Sequence, residues 1–130
     1  ADDFFLGVYL TAVGPGELLT KVTVPAGRRD GFASVPIGAD GTCIVNAAAS
    51  LDGGGPRVVI GCVDAVPHRA TGVEAKLGDS LDADGVRAAV TGLGATLDPP
   101  SDVHASSDYR RHLAEVVAAR AILQATEAGG

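Results

Sequence analysis

Residues 31–63 read GFASVPIGADGTCIVNAAASLDGGGPRVVIGCV, three apolar runs separated by two reversals. Gly31 to Ile37 has the pattern of a strand, Gly38-Ala39-Asp40-Gly41 that of a turn, and Thr42 to Leu51 that of a second strand rich in small apolar residues. Asp52-Gly53-Gly54-Gly55-Pro56 reverses the chain again. Arg57 to Val63 then makes a third strand, whose nearly continuous apolar run suggests cover on both faces. If the reversal sets Leu51 opposite Pro56, Cys62 faces Val45 and lies diagonal to Cys43, roughly 7 to 8 Å away. Disulfides want closer Cβ atoms, so the cysteines read as two small buried thiols.

Upstream, Leu19-Thr20-Lys21-Val22-Thr23-Val24 alternates and stops at Pro25, which reads as one further strand after a tight turn at Gly14-Pro15-Gly16. Gly27 to Asp30 is a polar connector. Downstream of Pro67 the apolar period moves from 2 toward 3.6, the mark of a change from sheet to helices. Thr71-Gly72-Val73-Glu74 has the spacing of a capping box, which predicts a short helix to Leu77 with the Thr71 hydroxyl accepting from the Glu74 amide. Asp82 can cap a second helix on which Val86, Val90, Leu93 and Leu97 form one stripe, ended by Asp98-Pro99-Pro100. Gly85, Gly92 and Gly94 weaken that helix, so it needs tertiary support or a close helix approach. The third helix is the clearest: Ser106 or Ser107 as N-cap, Asp108 near its positive end, then Tyr109, Leu113, Val116, Val117 and Ile122 or Leu123 toward the core. The tail from Glu127 should fray. Together these elements predict an α+β fold, a three-stranded antiparallel sheet followed by three helices packed on it.

The 130 residues suit one domain with one hydrophobic core. Ten Lys and Arg against sixteen Asp and Glu give a net charge of −6 with no positive cluster to offset it. That argues against nucleic acid as a partner and against a membrane surface bound through basic residues. No apolar run reaches the roughly 18 to 20 residues that span a bilayer, and the acidic Ala1-Asp2-Asp3 is unlike a signal peptide. A soluble, cytoplasmic protein with no membrane span is expected. The sequence contains no Met, so Ala1 is not expected to be a translational start, and a longer or processed parent chain is. Two cysteines do not make a disulfide scaffold. Eighteen Gly and seven Pro predict many turns and short elements.

Motifs that would carry chemistry are few. Gly53-Gly54-Gly55 lacks the Gly-Lys-Ser/Thr ending of a phosphate loop, and Gly92-x-Gly94 lacks the third Gly of a dinucleotide fingerprint, so both read as turns and helix-packing surface. His68, His104 and His112 have no partner at metal-ligand spacing. Ser107 and His112 could in principle serve a hydrolase, but capping accounts for the serines and dipole complementarity for Asp108. Arg110 and Arg111 point to different parts of the helix surface. At least one should pair with an acid on this chain or on a partner, a solvated face being the alternative.

Four blocks carry a resemblance: PGELLTKVTVPAG at Pro15 to Gly27, GCVDAVPHRAT at Gly61 to Thr71, LDPPSDVHASSDYRRHL at Leu97 to Leu113, and AEVVAARAI in the tail helix. In this order they resemble the C-terminal part of the FAD-binding medium subunit of molybdenum hydroxylases, the carbon monoxide dehydrogenase and xanthine dehydrogenase family. The D-x-H-A-S-x-x-Y-R-R block is the most specific element, and the similarity runs from residue 1 to about 125. It implies that residues 1–26 end a preceding FAD-binding domain and that 27–130 form the C-terminal domain.

The resemblance further implies a role in electron transfer. In that family substrate is oxidised at a molybdopterin in the large subunit, electrons pass through two 2Fe-2S clusters in the small subunit, and FAD in the medium subunit delivers them to an acceptor. Leu19, with its neighbour Leu18, falls where a leucine packs near the flavin ring. The pyrophosphate loops would lie N-terminal to Ala1, so these 130 residues alone are expected neither to hold FAD tightly nor to be active. Where the xanthine dehydrogenase branch carries a flavin-proximal Lys, this sequence has Val35-Pro36-Ile37. Tyr109, Arg110 and Arg111 match the Y-R-R of the block, with the Tyr ring anchoring the helix and the arginines tying helices or a neighbouring subunit together. The rival reading is a free-standing interaction module that docks a partner on the sheet's open face and has no redox role.

Overall fold

In the second strand, Val45, Ala47 and Ala49 are buried while Asn46 and Ala48 lie on the other face, the alternation expected of a strand with one covered side. The computed structural model describes residues 3–25, 28–39, 41–52, 54–78 and 81–128. Gly27, Asp40 and Gly53, which belong to the expected connector and two reversals, lie outside the described residues.

The described elements begin with a small hairpin, β1 (Phe5–Gly7) and β2 (Leu10–Thr11), joined through Tyr9 in the left-handed region. The body follows: β3 (Asp30–Pro36), β4 (Cys43–Ser50), β5 (Arg57–Gly61), β6 (His68–Arg69), α1 (Thr71–Glu74), α2 (Ala83–Val90) and α3 (Ser107–Glu127). The main sheet is antiparallel with strand order β3-β4-β5-β6. Ser50 faces Arg57 and Asn46 faces Gly61, the register that follows from Leu51 opposite Pro56. The α+β architecture is as expected, but the main sheet has four strands rather than three. The fourth, two residues long behind Pro67, pairs His68 with Ile60 and Arg69 with Val59; it is too short for a periodicity to show.

One face of the sheet is covered by α3, which crosses β3 and β4 through small residues. Ala114, Ala118, Ala121 and Ala125 of the helix and Ala33, Ala47 and Ala49 of the strands are all buried. A Cβ on Gly31 would overlap the Ala121 carbonyl oxygen, so the helix lies directly on the strand backbone there. Larger side chains fill the flanks: Val45, Val58, Ile60, Val117 and Ile122 are fully buried, each worth about 1.5–3 kcal/mol of transfer free energy.

Other local expectations need correction. Leu19–Val24 forms no strand: among the described residues it has no ladder partner, and an unpaired run cannot build a ladder. Glu74 closes no capping box: the cap position of α1 is Ala70, which has no side-chain acceptor, the Glu74 amide donates to the Ala70 carbonyl at 3.0 Å, and the Glu74 carboxylate accepts instead from the Val58 amide at 2.9 Å and the Arg69 guanidinium at 3.0 Å. Asp82 does cap α2, accepting from the Gly85 amide at 2.8 Å. That helix stops at Val90, since Gly92 turns left-handed at φ 88°, yet all four residues of the predicted stripe stay buried through a 3-10 turn at Gly94–Thr96. Cys62 is exposed, not buried, and Cys43 is half-buried; both are free thiols. Cys62 takes a left-handed φ of 67° just past β5 and leaves the pattern that would have turned it inward. No described helix is long and apolar enough to cross a membrane.

Candidate functional site

The specific block from Ser101 to Arg111 assembles the junction where α3 meets the sheet. The Asp102 carboxylate accepts from the His104 and Ala105 amides at 2.9 and 3.0 Å, closing a tight loop on itself, while the Asp102 amide donates back to the Ala105 carbonyl at 3.0 Å. One residue on, the Ser106 hydroxyl accepts from the Tyr109 amide at 3.2 Å and caps α3. Ser106, not Ser107, is therefore the cap, and Ser101 in turn accepts from the Ser107 amide.

Arg110 ties this loop to the sheet. It is 4% exposed, the one charged residue among the buried described ones. Its guanidinium donates to the Ile44 carbonyl at 2.5 Å, to the Cys62 carbonyl at 3.4 Å and to the second oxygen of Asp102 at 2.5 Å. The His104 amide, the Arg110 guanidinium and the Ala105 amide hold the Asp102 carboxyl down at about 2. Arg111 binds the connector instead: it donates to the Leu97 carbonyl and pairs with Asp98 and Asp108. Glu115, one turn later, accepts from the amides of Gly92 and Gly94 at 3.0 and 3.1 Å. A Cβ at Gly94 would lie 2.9 Å from the Arg111 carbonyl oxygen. The Gly-x-Gly amides thus cradle an anion, but the anion is this chain's own carboxylate.

Tyr109 departs from expectation. It is 47% exposed and points away from the core, while the buried position of that turn belongs to Arg110. Apolarity pointed to the ring, but the carbonyls at the sheet's end need a donor, and only the guanidinium can supply three. Ser107 and His112 do not meet either: five residues along a helix is a rotation of about 140°.

Two other carboxylates are engaged like Asp102. Asp52 is lowered by the Arg29 amide and guanidinium, which bond it at 2.6 and 3.1 Å as the chain enters β3. Glu74 is pushed up by loss of water, but the Arg69 guanidinium and the Val58 amide outweigh this and leave it lowered. Sequence reasoning missed both; their signal lay in Arg29 and Arg69 standing at strand ends. A cleft of about 360 Å³ beside β6 and α1 contains Arg69 and Lys76, but both cations are engaged, by Glu74 and by the Thr91 carbonyl. No cluster of three metal-ligating side chains occurs among the described residues.

Leu18 and Leu19 lie elsewhere, on the arm formed by residues 3–25. They are 82% and 54% exposed, with Val22, Val24, Leu6 and Leu10 also open. The arm's turn is as predicted, closed by the Glu17 amide on the Gly14 carbonyl at 3.1 Å and by the Glu17 carboxylate on the Gly14 amide at 2.7 Å. Its hairpin packs on no other described element. The arm and the Asp102–Arg110 junction are thus separate: one is an apolar surface without cover, the other a buried polar network in which the Arg110 Nε is left without a hydrogen-bond partner.

Comparison with known proteins gives a consistent result. The chain is 30% identical over 127 residues to the glyceraldehyde dehydrogenase medium chain of Sulfolobus acidocaldarius, covering 92% of this chain and 45% of that protein. It is 28% identical to the nicotine 6-hydroxylase medium subunit of Paenarthrobacter nicotinovorans, covering 96% and 47%. In structure it superimposes on a chain of quinoline 2-oxidoreductase from Pseudomonas putida 86 with a TM-score of 0.84 at 30% identity, over 98% of this chain and 48% of that one. A chain of carbon monoxide dehydrogenase from Oligotropha carboxidovorans gives 0.78 at 27% identity, over 96% and 47%. The chain spans about half the length of these relatives. Residues 32–125, which hold nearly all of the main sheet and the helices together with the Asp102–Arg110 junction, match the model of the CO dehydrogenase flavoprotein C-terminal domain, and the chain belongs to that family.

Proposed function

We propose that these residues are the C-terminal part of the flavoprotein medium subunit of a molybdenum hydroxylase. Its task is to support FAD-mediated electron transfer from 2Fe-2S clusters in a small subunit to an acceptor, downstream of a molybdopterin in a large subunit. Residues 1–26 end the preceding FAD-binding domain and residues 27–130 form the C-terminal domain. We place the assembly in the cytoplasm.

The observation that carries this reading is the contrast inside the chain. The body buries its apolar residues, whereas the arm leaves Leu18, Leu19, Val22 and Val24 open to water. An apolar run of that kind suits a surface that another domain and a flat apolar ring would cover. Leu18 and Leu19 fit the flavin as apolar neighbours of its ring. The pyrophosphate needs amide donors, and the described Gly-x-Gly amides are spent on Glu115. FAD, when bound, supplies the hydride and single-electron chemistry; this chain's share is to wall the ring.

The test is the natural gene product purified with its co-expressed neighbours. A chain longer than 130 residues with flavin and iron-sulfur absorbance is expected, and Leu19→Asp in that chain should lower its flavin content while leaving its mass and its partners unchanged. A colourless product of 130 residues would overturn the proposal and favour the free-standing module.

A further inference from the structure

Both cysteines stand at one end of the main sheet, and two irregularities turn them to the same face. β3 pairs with β4 residue for residue from Asp30 opposite Ser50 to Val35 opposite Val45, but Pro36 then pairs with Cys43, so the ladder skips Ile44. Directly paired residues share a face, and Pro36 continues the exposed series of Asp30 and Phe32 on the face that α3 leaves open. The skipped residue therefore puts Cys43 on that open face with Asn46, where unbroken alternation would turn it under α3 with Val45. Cys62 arrives there by another route. Alternation along β5 would turn it inward after Ile60, but its φ of 67° hands the buried position to Val63. The Cys62 sulfur accepts from Asn46 Nδ2 at 3.6 Å, and Asn46 reaches it by lying over Gly61, where a Cβ would come 2.4 Å from Asn46 Oδ1. One Arg110 nitrogen also bonds the carbonyl of Ile44, next to Cys43, and the carbonyl of Cys62, which holds the two backbones together. Loss of water pushes the Cys62 thiol up and the nearby Cys43 pushes it further, against Arg110, so the two sulfurs lie within each other's field.

We infer that Cys43 and Cys62 form a reversible thiol pair, which a small-molecule disulfide closes into a crosslink between the start of β4 and the end of β5. Cys62 is exposed and is the entry point; Cys43 is half-buried and resolves. The Cys62 thiolate attacks one sulfur of the reagent, forming a mixed disulfide and expelling one thiolate. The Cys43 thiolate then attacks the Cys62 sulfur, forming the Cys43–Cys62 bond and expelling the second. The pair gives up two electrons and two protons, and the reagent leaves as two thiols. A regular diagonal pair on a ladder would stand roughly 7 to 8 Å apart, too far for a disulfide. Here Cys43 is the first residue of β4 and Cys62 the one just past β5, so closing the gap moves two loop ends and leaves the ladder intact. In a reducing compartment such a pair rests as thiols and closes when the thiol pool is oxidised. This inference is independent of the flavin reading.

Exchange with oxidised glutathione at about pH 8, where thiolates are populated, tests the pair in the 130-residue chain, read by intact mass and peptide mapping. The wild type should lose two hydrogens, keep no glutathione and yield a peptide joining Cys43 to Cys62. Cys43→Ser should stop at one glutathione on Cys62, because nothing remains to resolve the mixed disulfide. In buffers of reduced and oxidised glutathione, the equilibrium constant for closing the crosslink should be at least about tenfold larger for the folded chain than for the chain in urea, since a fold that holds the thiols together favours the bond by the amount the bond favours the fold. A wild type that ends with two glutathiones, a disulfide joining two chains, a Cys43→Ser variant that takes up none, or equal constants in the folded and unfolded chains would each overturn the proposal.

Discussion

The arm and the body have similar local apolarity and opposite fates. Leu19 to Val24 alternates much as Gly31 to Ile37 does, yet the second run is a strand and the first is not. The difference is supply of partners: β3 has β4 along one edge and α3 across its face, whereas the arm has neither among the described residues. Periodicity therefore specifies which face a segment would bury. Whether it buries that face depends on a neighbour elsewhere in the chain or the assembly.

The largest loss of stability is expected where the body is locked, at Arg110. Arg110→Ala removes the donors of the Ile44 and Cys62 carbonyls and frees Asp102. It should cost about 3 kcal/mol, the range for stripping a buried polar junction of its charge, and urea unfolding would measure it. Gly31→Ala should come close behind at about 2–3 kcal/mol, because its Cβ would overlap the Ala121 carbonyl oxygen and α3 would have to move. A body unmoved by either change would be held together elsewhere. Tyr109→Ala should cost about 1 kcal/mol or less, since nearly half of that side chain is already in water.

Acid should act on the body in a defined window. Asp52, Glu74 and Asp102 are all lowered on folding, Asp102 to about 2. Below the ordinary carboxylate value of about 4 the unfolded chain binds protons that the folded one refuses, so stability falls as pH drops. The contribution of Asp102 is complete above about pH 4 and is lost progressively toward pH 2. Asp102→Asn should flatten the pH dependence of the melting temperature across that interval and leave it unchanged between about pH 6 and 8. A variant whose acid limb matched the wild type would show that Asp102 is not protected in the fold.

Much of the body was legible in the sequence because its signals were local. The turn residues, the alternation of β4, the hairpin register and the Asp82 and Ser106 caps each follow from a few adjacent side chains. What escaped was long-range. Glu74 abandons its capping box for Val58 and Arg69, on other strands. Arg110 displaces Tyr109 from the interior because Ile44 and Cys62, far off in the chain, present carbonyls there. β6 exists only by pairing with β5. The candidate flavin neighbours were placed by likeness alone, and nothing in the composition of Leu18 and Leu19 marks them.

Leu18→Asp and Leu19→Asp put charges on side chains already open to solvent, so in the 130-residue chain the body's stability should change by no more than about 0.5 kcal/mol. In the longer subunit proposed above the same substitutions would bury a carboxylate against whatever covers the arm, and burying an unpaired charge is costly. Their effect should therefore appear as lost flavin and a lower melting temperature there, and nowhere in the isolated chain. Equal effects in both settings would place the arm's packing inside this chain. A large effect confined to the longer protein would show that the arm's apolar surface belongs to a core completed by residues beyond these 130.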